Sequence, residues 1–402
     1  MYFQFNAIIK QTHLQVIGRS ETCSSTLMAL SSSLFHYCVL CIFVLIACFT
    51  TPIVSISSHE KSQAALFVFG DSVFDPGNNN YINTVTDFQA NFRPYGESFF
   101  KHPTGRFSDG RLIPDFIAEY ANLPLIPSYF QIGKQHFVHG VNFASGGSGV
   151  LVETLRGFVI DLKTQLKHFK KVAKLLKKKV GATESKQIIS SAVYIFSTGN
   201  NDYLAPLLAN STIPYPEREY LQMIMGNLTS VLKGIYKKGG RKFVMFTAAP
   251  LGCVPIIRAL NVQKGVKNGN CIEEEITNSA KMYNSALPKM LKQLEKQLPG
   301  FKFTIFNFFN VFAESIHNPT KYGFKTSKTA CCGTGPFRGI FSCGGKRHVK
   351  EYELCKNVKD YLFFDSVHPT ELAYEQYAEL LWNGTTDVVA PYNLKSFFEH
   401  ST

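Results

Sequence analysis

Six short apolar runs constrain this chain more than any other feature: "ALFVFG" (65–70), "HGVNFAS" (139–145), "AVYIFSTG" (192–199), "KFVMFTAAP" (242–250), "FKFTIFNFF" (301–309) and "YLFFD" (361–365). Runs of this length, rich in Val, Ile, Phe and Tyr, read as strands buried on both faces. Between most of them lie segments with helical spacing, at 112–121, 162–179, 220–237, 273–297 and 371–382. Strands alternating with helices predict an α/β fold, a largely parallel sheet covered by helices on both faces, with right-handed crossovers. A composition of 45% hydrophobic and 18% charged residues, with 35 Phe, supplies a large core and excludes disorder. No internal repeat, low-complexity tract or long Gly/Ser linker divides the chain after residue 57.

The first 57 residues differ from the rest. "CVLCIFVLIACF" (38–49) is an unbroken apolar run of 12, short of the roughly 20 that span a bilayer and suited to a signal-peptide core. Ser55 and Ser57 are small residues at cleavage spacing, so a secreted chain starting near Ser58 is expected. The stretch before the apolar run is long and carries only Lys10 and Arg19 as fixed positive charges, which makes Met28 a candidate initiator. An uncleaved signal anchor is the alternative.

Cysteine usage agrees with secretion. Cys23, Cys38, Cys41 and Cys48 fall in the part to be removed, leaving Cys253, Cys271, Cys331, Cys332, Cys343 and Cys355. An even set fits disulfides, with 15 connectivities open. Metal is disfavoured, because adjacent Cys331 and Cys332 with two distant partners do not make a zinc knuckle. Asn210, Asn227 and Asn383 each begin an N-x-Ser/Thr sequon usable in the secretory pathway. The Gly- and Cys-rich stretch 321–359 reads as a disulfide-tied excursion.

The formal charge is +13. Much of the excess sits in 162–180, where Leu162, Leu166, Phe169, Ala173, Leu176 and Val180 recur at helical spacing while Lys163, Lys167, Lys170, Lys174 and Lys178 fall largely elsewhere. This is a surface helix whose lysine face is first a solvated face. Its functional alternative is attraction to an anionic surface, acidic wall polysaccharide or phospholipid head groups. No nucleic-acid motif accompanies the charge.

Two strand ends carry chemistry. "FGDSVFDPGNNNY" places Ser72 directly after the first run, where open α/β sheets expose their ligand sites. "FFDSVHPT" places Asp365 and His368 three apart on a loop, with Thr370 as the natural N-cap of the helix that follows. There the carboxylate can reach Nδ1 and leave Nε2 free as a base for Ser72. If each segment follows a parallel strand, both lie at one sheet edge. Two further strand ends offer oxyanion donors: the Gly146-Gly147 turn in "GVNFASGGSG" and the Asn201 side chain in "STGNND".

Together with "TGRFSDGR" and "APLGCVP", these segments resemble, in order from about residue 65 to 382, the plant secreted GDSL esterase/lipases of the SGNH hydrolase family. The resemblance implies one three-layer α/β/α domain, here 58–402, and a serine esterase/lipase acting on carboxylic esters. It puts the nucleophile on Ser72, the base on His368, the orienting acid on Asp365, and the oxyanion hole on Ser72, Gly146 and Asn201, with Gly147 the alternative to Gly146. No metal or organic cofactor is required. The lipase elbow G-x-S-x-G is absent, since Phe74 stands where its second glycine would be. Asp109 replaces the Asn that many relatives carry. An acyltransferase using the same residues, or a non-catalytic defence or wall protein, are the alternatives.

Lesser candidates have structural readings. Asp75 is expected to cap the turn after Ser72, and Asp202 to brace the Asn201 loop. His136 and His139 would point to opposite faces of a strand, which argues against a metal pair.

Overall fold

The computed structural model describes residues 64–131, 137–266, 271 and 275–399. All belong to the unit Lys61–Thr402. The signal-peptide reading, with Met28, the start near Ser58 and the four early cysteines, lies outside the described residues, as does His136.

The chain runs β1 (Leu66–Gly70), α1 (Ile113–Tyr120), β2 (Gly140–Asn142), α2 (Leu162–Val180), α3 (Ala182–Ser191), β3 (Val193–Ser197), α4 (Asn200–Leu208), α5 (Glu217–Tyr236) and β4 (Lys242–Phe246). It continues with α6 (Pro255–Gln263), α7 (Glu275–Gln297), β5 (Lys302–Phe306), α8 (Phe308–His317), β6 (Cys332–Gly333), β7 (Glu353–Leu354), α9 (Glu371–Asn383), β8 (Val389–Ala390) and α10 (Leu394–Glu399). The main sheet has the order β2-β1-β3-β4-β5-β8. Its first five strands are parallel, and β8 closes the far edge antiparallel to β5.

The contiguous apolar runs are explained by burial on both faces. Leu66, Val68, Val193, Ile195, Val244 and Phe306 point into a core shared with α1, α8 and α9. Phe67, Phe69, Tyr194, Phe196, Phe243 and Phe303 point into a second core shared with α2, α5 and α7. The result is a three-layer α/β/α sandwich with a mainly parallel sheet.

One strand expectation is corrected. Residues 361–365 form only isolated bridges, Tyr361 to Thr326 and Phe363 to Pro369, and do not join the main sheet. Their backbone groups serve the excursion instead: the Cys331 and Cys332 N–H groups donate to Phe363 O at 2.9 Å and Phe364 O at 2.7 Å. The place beside β5 is taken by β8. The run 301–309 also divides, since Asn307 accepts the Asn310 N–H and starts α8 directly after β5.

Three disulfides, Cys253–Cys271, Cys331–Cys355 and Cys332–Cys343, use all six cysteines of the described residues. The neighbours Cys331 and Cys332 take different partners, and the shorter bridge is nested inside the longer. The excursion is thereby closed twice.

Candidate active site

β1 lies between β2 and β3, so the chain reverses its direction across the sheet at β1 and leaves a crevice at the carboxyl ends of these strands. Gly70 ends β1 at φ +146°, and a Cβ there would meet Ser197 O at 2.2 Å. Only glycine lets the ends of β1 and β3 converge this closely. Gln165, buried on the inner face of α2, accepts the Gly70 N–H and donates to Gly70 O, both at 2.9 Å. The helix with the lysine face therefore also fixes the end of the strand that carries Ser72.

Ser72 is half-buried, and its Oγ is 2.8 Å from His368 Nε2. On the other side of the ring, His368 Nδ1 is 2.9 Å from both carboxylate oxygens of Asp365. With Nδ1–H donated to the carboxylate, Nε2 is left to accept the Ser72 proton. Asp365 Oδ1 also accepts the N–H groups of Val367 and His368, at 2.9 and 2.8 Å, and the Phe364 N–H donates to His368 O at 2.8 Å. The loop holds its own acid and base in register without needing a strand. Burial pushes the Asp365 carboxyl up, but the neighbouring His368 ring and its hydrogen bonds, aided by Arg347, outweigh this and hold it at about 2.

Asn201 enters at the start of α4, and its Nδ2 donates to Ser148 O at 3.0 Å with one hydrogen to spare. Asp202 braces this turn as expected, accepting the N–H groups of Val150 and Leu151 and the Thr154 hydroxyl. The Ser72 amide has no acceptor among the described residues. The Gly146 amide, expected at the oxyanion, is instead donated to Asp75 Oδ2 at 2.8 Å, because a buried carboxylate must collect donors. The Gly147 amide, its alternative, has no acceptor among the described residues.

Asp75 caps as expected, its Oδ1 accepting the N–H groups of Gly77 and Asn78. Thr370 sits at the N-cap of α9, but its hydroxyl donates to Tyr361 O and caps nothing. The cap is supplied by Asp109, whose Oδ1 accepts the Glu371 N–H at 2.8 Å while Oδ2 accepts the Ser98 hydroxyl. Among the described residues no group of three or more His, Cys, Asp or Glu is placed to hold a metal.

A narrow cavity of about 40 Å³ opens beside Ser72, His368 and Asn201, walled by Leu204, Leu251, Phe308 and Phe312. A proton can pass from Oγ to Nε2 here while a carbonyl carbon bound at Oγ turns its oxygen toward the free N–H donors, the chemistry of acyl transfer.

The fold brings Ser72, Asn201, Asp365 and His368 together, as their motifs led us to expect, but Gln165, Tyr95 and Arg347 were passed over. Tyr95 donates its hydroxyl to Asp365 Oδ2 at 2.8 Å. None of these belongs to a local pattern. Asp71 was also passed over. It is fully buried beside Ser72, and burial pushes its carboxyl up to about 7 against the pull of the Val73 N–H and of His368.

A sequence profile of GDSL-like lipases/acylhydrolases matches residues 66–381. The chain is 50% identical over 345 residues to GDSL esterase/lipase 5 of Arabidopsis thaliana, covering 85% of this chain and 89% of that protein. It is 51% identical over 343 residues to GDSL esterase/lipase 2 of the same plant, covering 84% and 90%. It is 47% identical over 358 residues to a GDSL lipase of Tanacetum cinerariifolium, covering 89% and 93%. With a profile match over most of its length and about half of the aligned residues identical to those of such relatives, the chain belongs to the GDSL lipase/acylhydrolase family.

Proposed function

We propose that the protein is a secreted serine esterase/lipase that hydrolyses carboxylic esters through an acyl-enzyme on Ser72. The observation that carries this reading is the continuous series Ser72 Oγ, His368 Nε2, His368 Nδ1 and Asp365, at 2.8 and 2.9 Å. His368 takes the Ser72 proton as Oγ attacks the ester carbonyl, and returns it to the departing alcohol. Water, activated by the same ring, then releases the acid. The oxyanion is met by the Ser72 N–H, the spare hydrogen of Asn201 Nδ2 and the glycine turn, where Gly147 has the unengaged amide.

Secretion is supported by the apolar run at 38–49 and by three disulfides, which form in oxidising compartments. No helix among the described residues is long and apolar enough to cross a membrane. Asn210 and Asn383 are exposed and suited to glycosylation. Asn227 is the poorer acceptor, since its Nδ2 already donates to Met223 O within α5. On α2, Lys163, Lys167, Lys171, Lys174, Lys177 and Lys178 are exposed, and none takes part in the ion pairs of the described residues. This face suits an anionic wall polysaccharide or head-group surface near the ester.

The test compares hydrolysis of a short-chain p-nitrophenyl ester by wild type and Ser72→Ala, with folding checked by circular dichroism. Activity that collapses in the variant supports the reading. A folded wild type that turns over neither short nor long esters, or a variant that retains full activity, overturns it.

A further inference from the structure

Asp365 is fully buried, and His368 alone does not account for its surroundings. Its Oδ2 accepts the hydroxyl of Tyr95, a residue with no exposed surface. The Tyr95 ring meets Phe92, Phe107 and Phe364 edge-on at 5.5, 6.3 and 5.3 Å, which fixes the direction of its O–H. Burial holds the Tyr95 hydroxyl well above its ordinary pKa, so it stays a donor.

Arg347 lies behind Tyr95, its guanidinium carbon 5.5 Å from that ring's centre and 3.7 Å from that of Phe341. It is only 1% exposed. Its Nη groups donate to the backbone oxygens of Cys343 and Gln89, and its Nε–H has no acceptor among the described residues. A cation buried on neutral partners alone is costly. The anion that feels its charge is Asp365. The Cys332–Cys343 bridge anchors the loop that delivers it.

We propose that Tyr95 and Arg347 are positioning residues that act through Asp365, keeping its carboxylate ionised and turned toward His368 Nδ1. The proposal rests on the reading of Ser72, His368 and Asp365 as one catalytic unit. The titratable and charged groups that act on the Asp365–His368 pair are Tyr95, Arg347 and the buried Tyr374 on Asp365, and the buried Asp71 on His368. A carboxylate that loses the Tyr95 O–H or the Arg347 charge is a stronger base, so the Asp365–His368 pair begins to take up protons at higher pH.

The experiment measures kcat, KM and the NMR titration of the His368 imidazole, assigned with His368→Asn, in wild type, Tyr95→Phe, Arg347→Lys and Arg347→Met. Tyr95→Phe is expected to lower kcat about tenfold or more with KM little changed, and to move the pair's titration up by about one pH unit, the scale of one hydrogen bond to a charged group. Arg347→Lys keeps the charge and should stay near wild type in titration, whereas Arg347→Met should move it as Tyr95→Phe does. Unchanged titration and kcat in folded Tyr95→Phe and Arg347→Met overturn the proposal. The NMR arm needs no turnover. A shifted titration in a protein inactive on every ester keeps the proposal and removes the hydrolase reading, while a fixed titration with Ser72→Ala inactive does the reverse.

Discussion

Asp75 and Gly146 join two turns that are 71 residues apart: the Asp75 carboxylate accepts the Gly146 N–H at 2.8 Å while its other oxygen holds the turn that follows Ser72. The glycine turn and the nucleophile turn therefore move together. Gly146 itself is enclosed, since a Cβ there would fall 2.6 Å from Phe107 Cε2. The Phe107 ring lies 4.8 Å from that of His368.

Gly146→Ala is thus expected to push Phe107 toward His368 and lower kcat about tenfold or more, an overpacking cost of roughly 1–3 kcal/mol expressed at the catalytic base. Steady-state kinetics with a melting curve on the same preparation checks this. An unchanged kcat would show that Phe107 yields without disturbing the ring.

The pH dependence of stability follows from Asp71. Its carboxyl ionises near 4 in the unfolded chain but, being buried, holds its proton up to about 7 in the folded one. The native state binds the extra proton between these values, so this contribution to stability falls as pH rises from about 4 to 7. Burial gives Asp75 the same sign up to about 6. His168, lowered to about 4 by burial and by Lys171, acts oppositely. Asp365 adds stability that is lost only as pH falls from about 4 through about 2. Comparing wild type with Asp71→Asn by denaturant unfolding isolates the first effect. The variant should gain on wild type by a few kcal/mol between pH 4 and 7, about 1.4 kcal/mol per unit at most, and no further above. A difference that does not vary with pH would contradict it.

The cavity beside Ser72 constrains the acyl group. At about 40 Å³ it is narrow, and its walls are mostly apolar. Phe308 and Phe312, stacked at 5.3 Å, form part of its wall. We expect kcat/KM to be highest for short p-nitrophenyl esters and to fall beyond about four carbons. Leu204→Ala, at a cost of about 2–5 kcal/mol in stability, should move the optimum to longer chains. A profile that is flat in wild type, or identical in the variant, would place the acyl chain elsewhere.

The parts of the fold legible in the sequence are those whose burial leaves a pattern. Contiguous apolar runs marked β1, β3, β4 and β5, and period-3.6 spacing marked α2, α5 and α9 nearly to their ends. The run at 361–365 looked like a strand because burying Leu362, Phe363 and Phe364 requires the same residues whether or not a sheet receives their hydrogen bonds. α4 and α8 were hidden for opposite reasons, one opening on Asn-Asn-Asp and the other continuing an aromatic run past Asn307. β8, two residues long, is shorter than any periodicity.

At the site, Ser72, Asp365, His368 and Asn201 were legible because each stands in a short motif at a turn. Gln165, Tyr95 and Arg347 act across 95, 270 and 258 positions respectively, on Gly70, Asp365 and Gln89. Such contacts exist only once the fold brings the segments together. The Gly146 amide shows the converse, a motif that names the turn without saying which N–H the neighbouring carboxylate will claim.

Both borders of the central sheet are very small. β2 has three residues on one side, of which Asn142 is already bridged to Ser128, and β8 has two on the other, while the strands between them have five. A long bare border of unpaired N–H and C=O groups is a template on which a second chain can add a strand. Borders this short give an incoming strand too few rungs to hold, so the interior strands, aromatic and strongly self-adhesive, are kept from joining one molecule to the next.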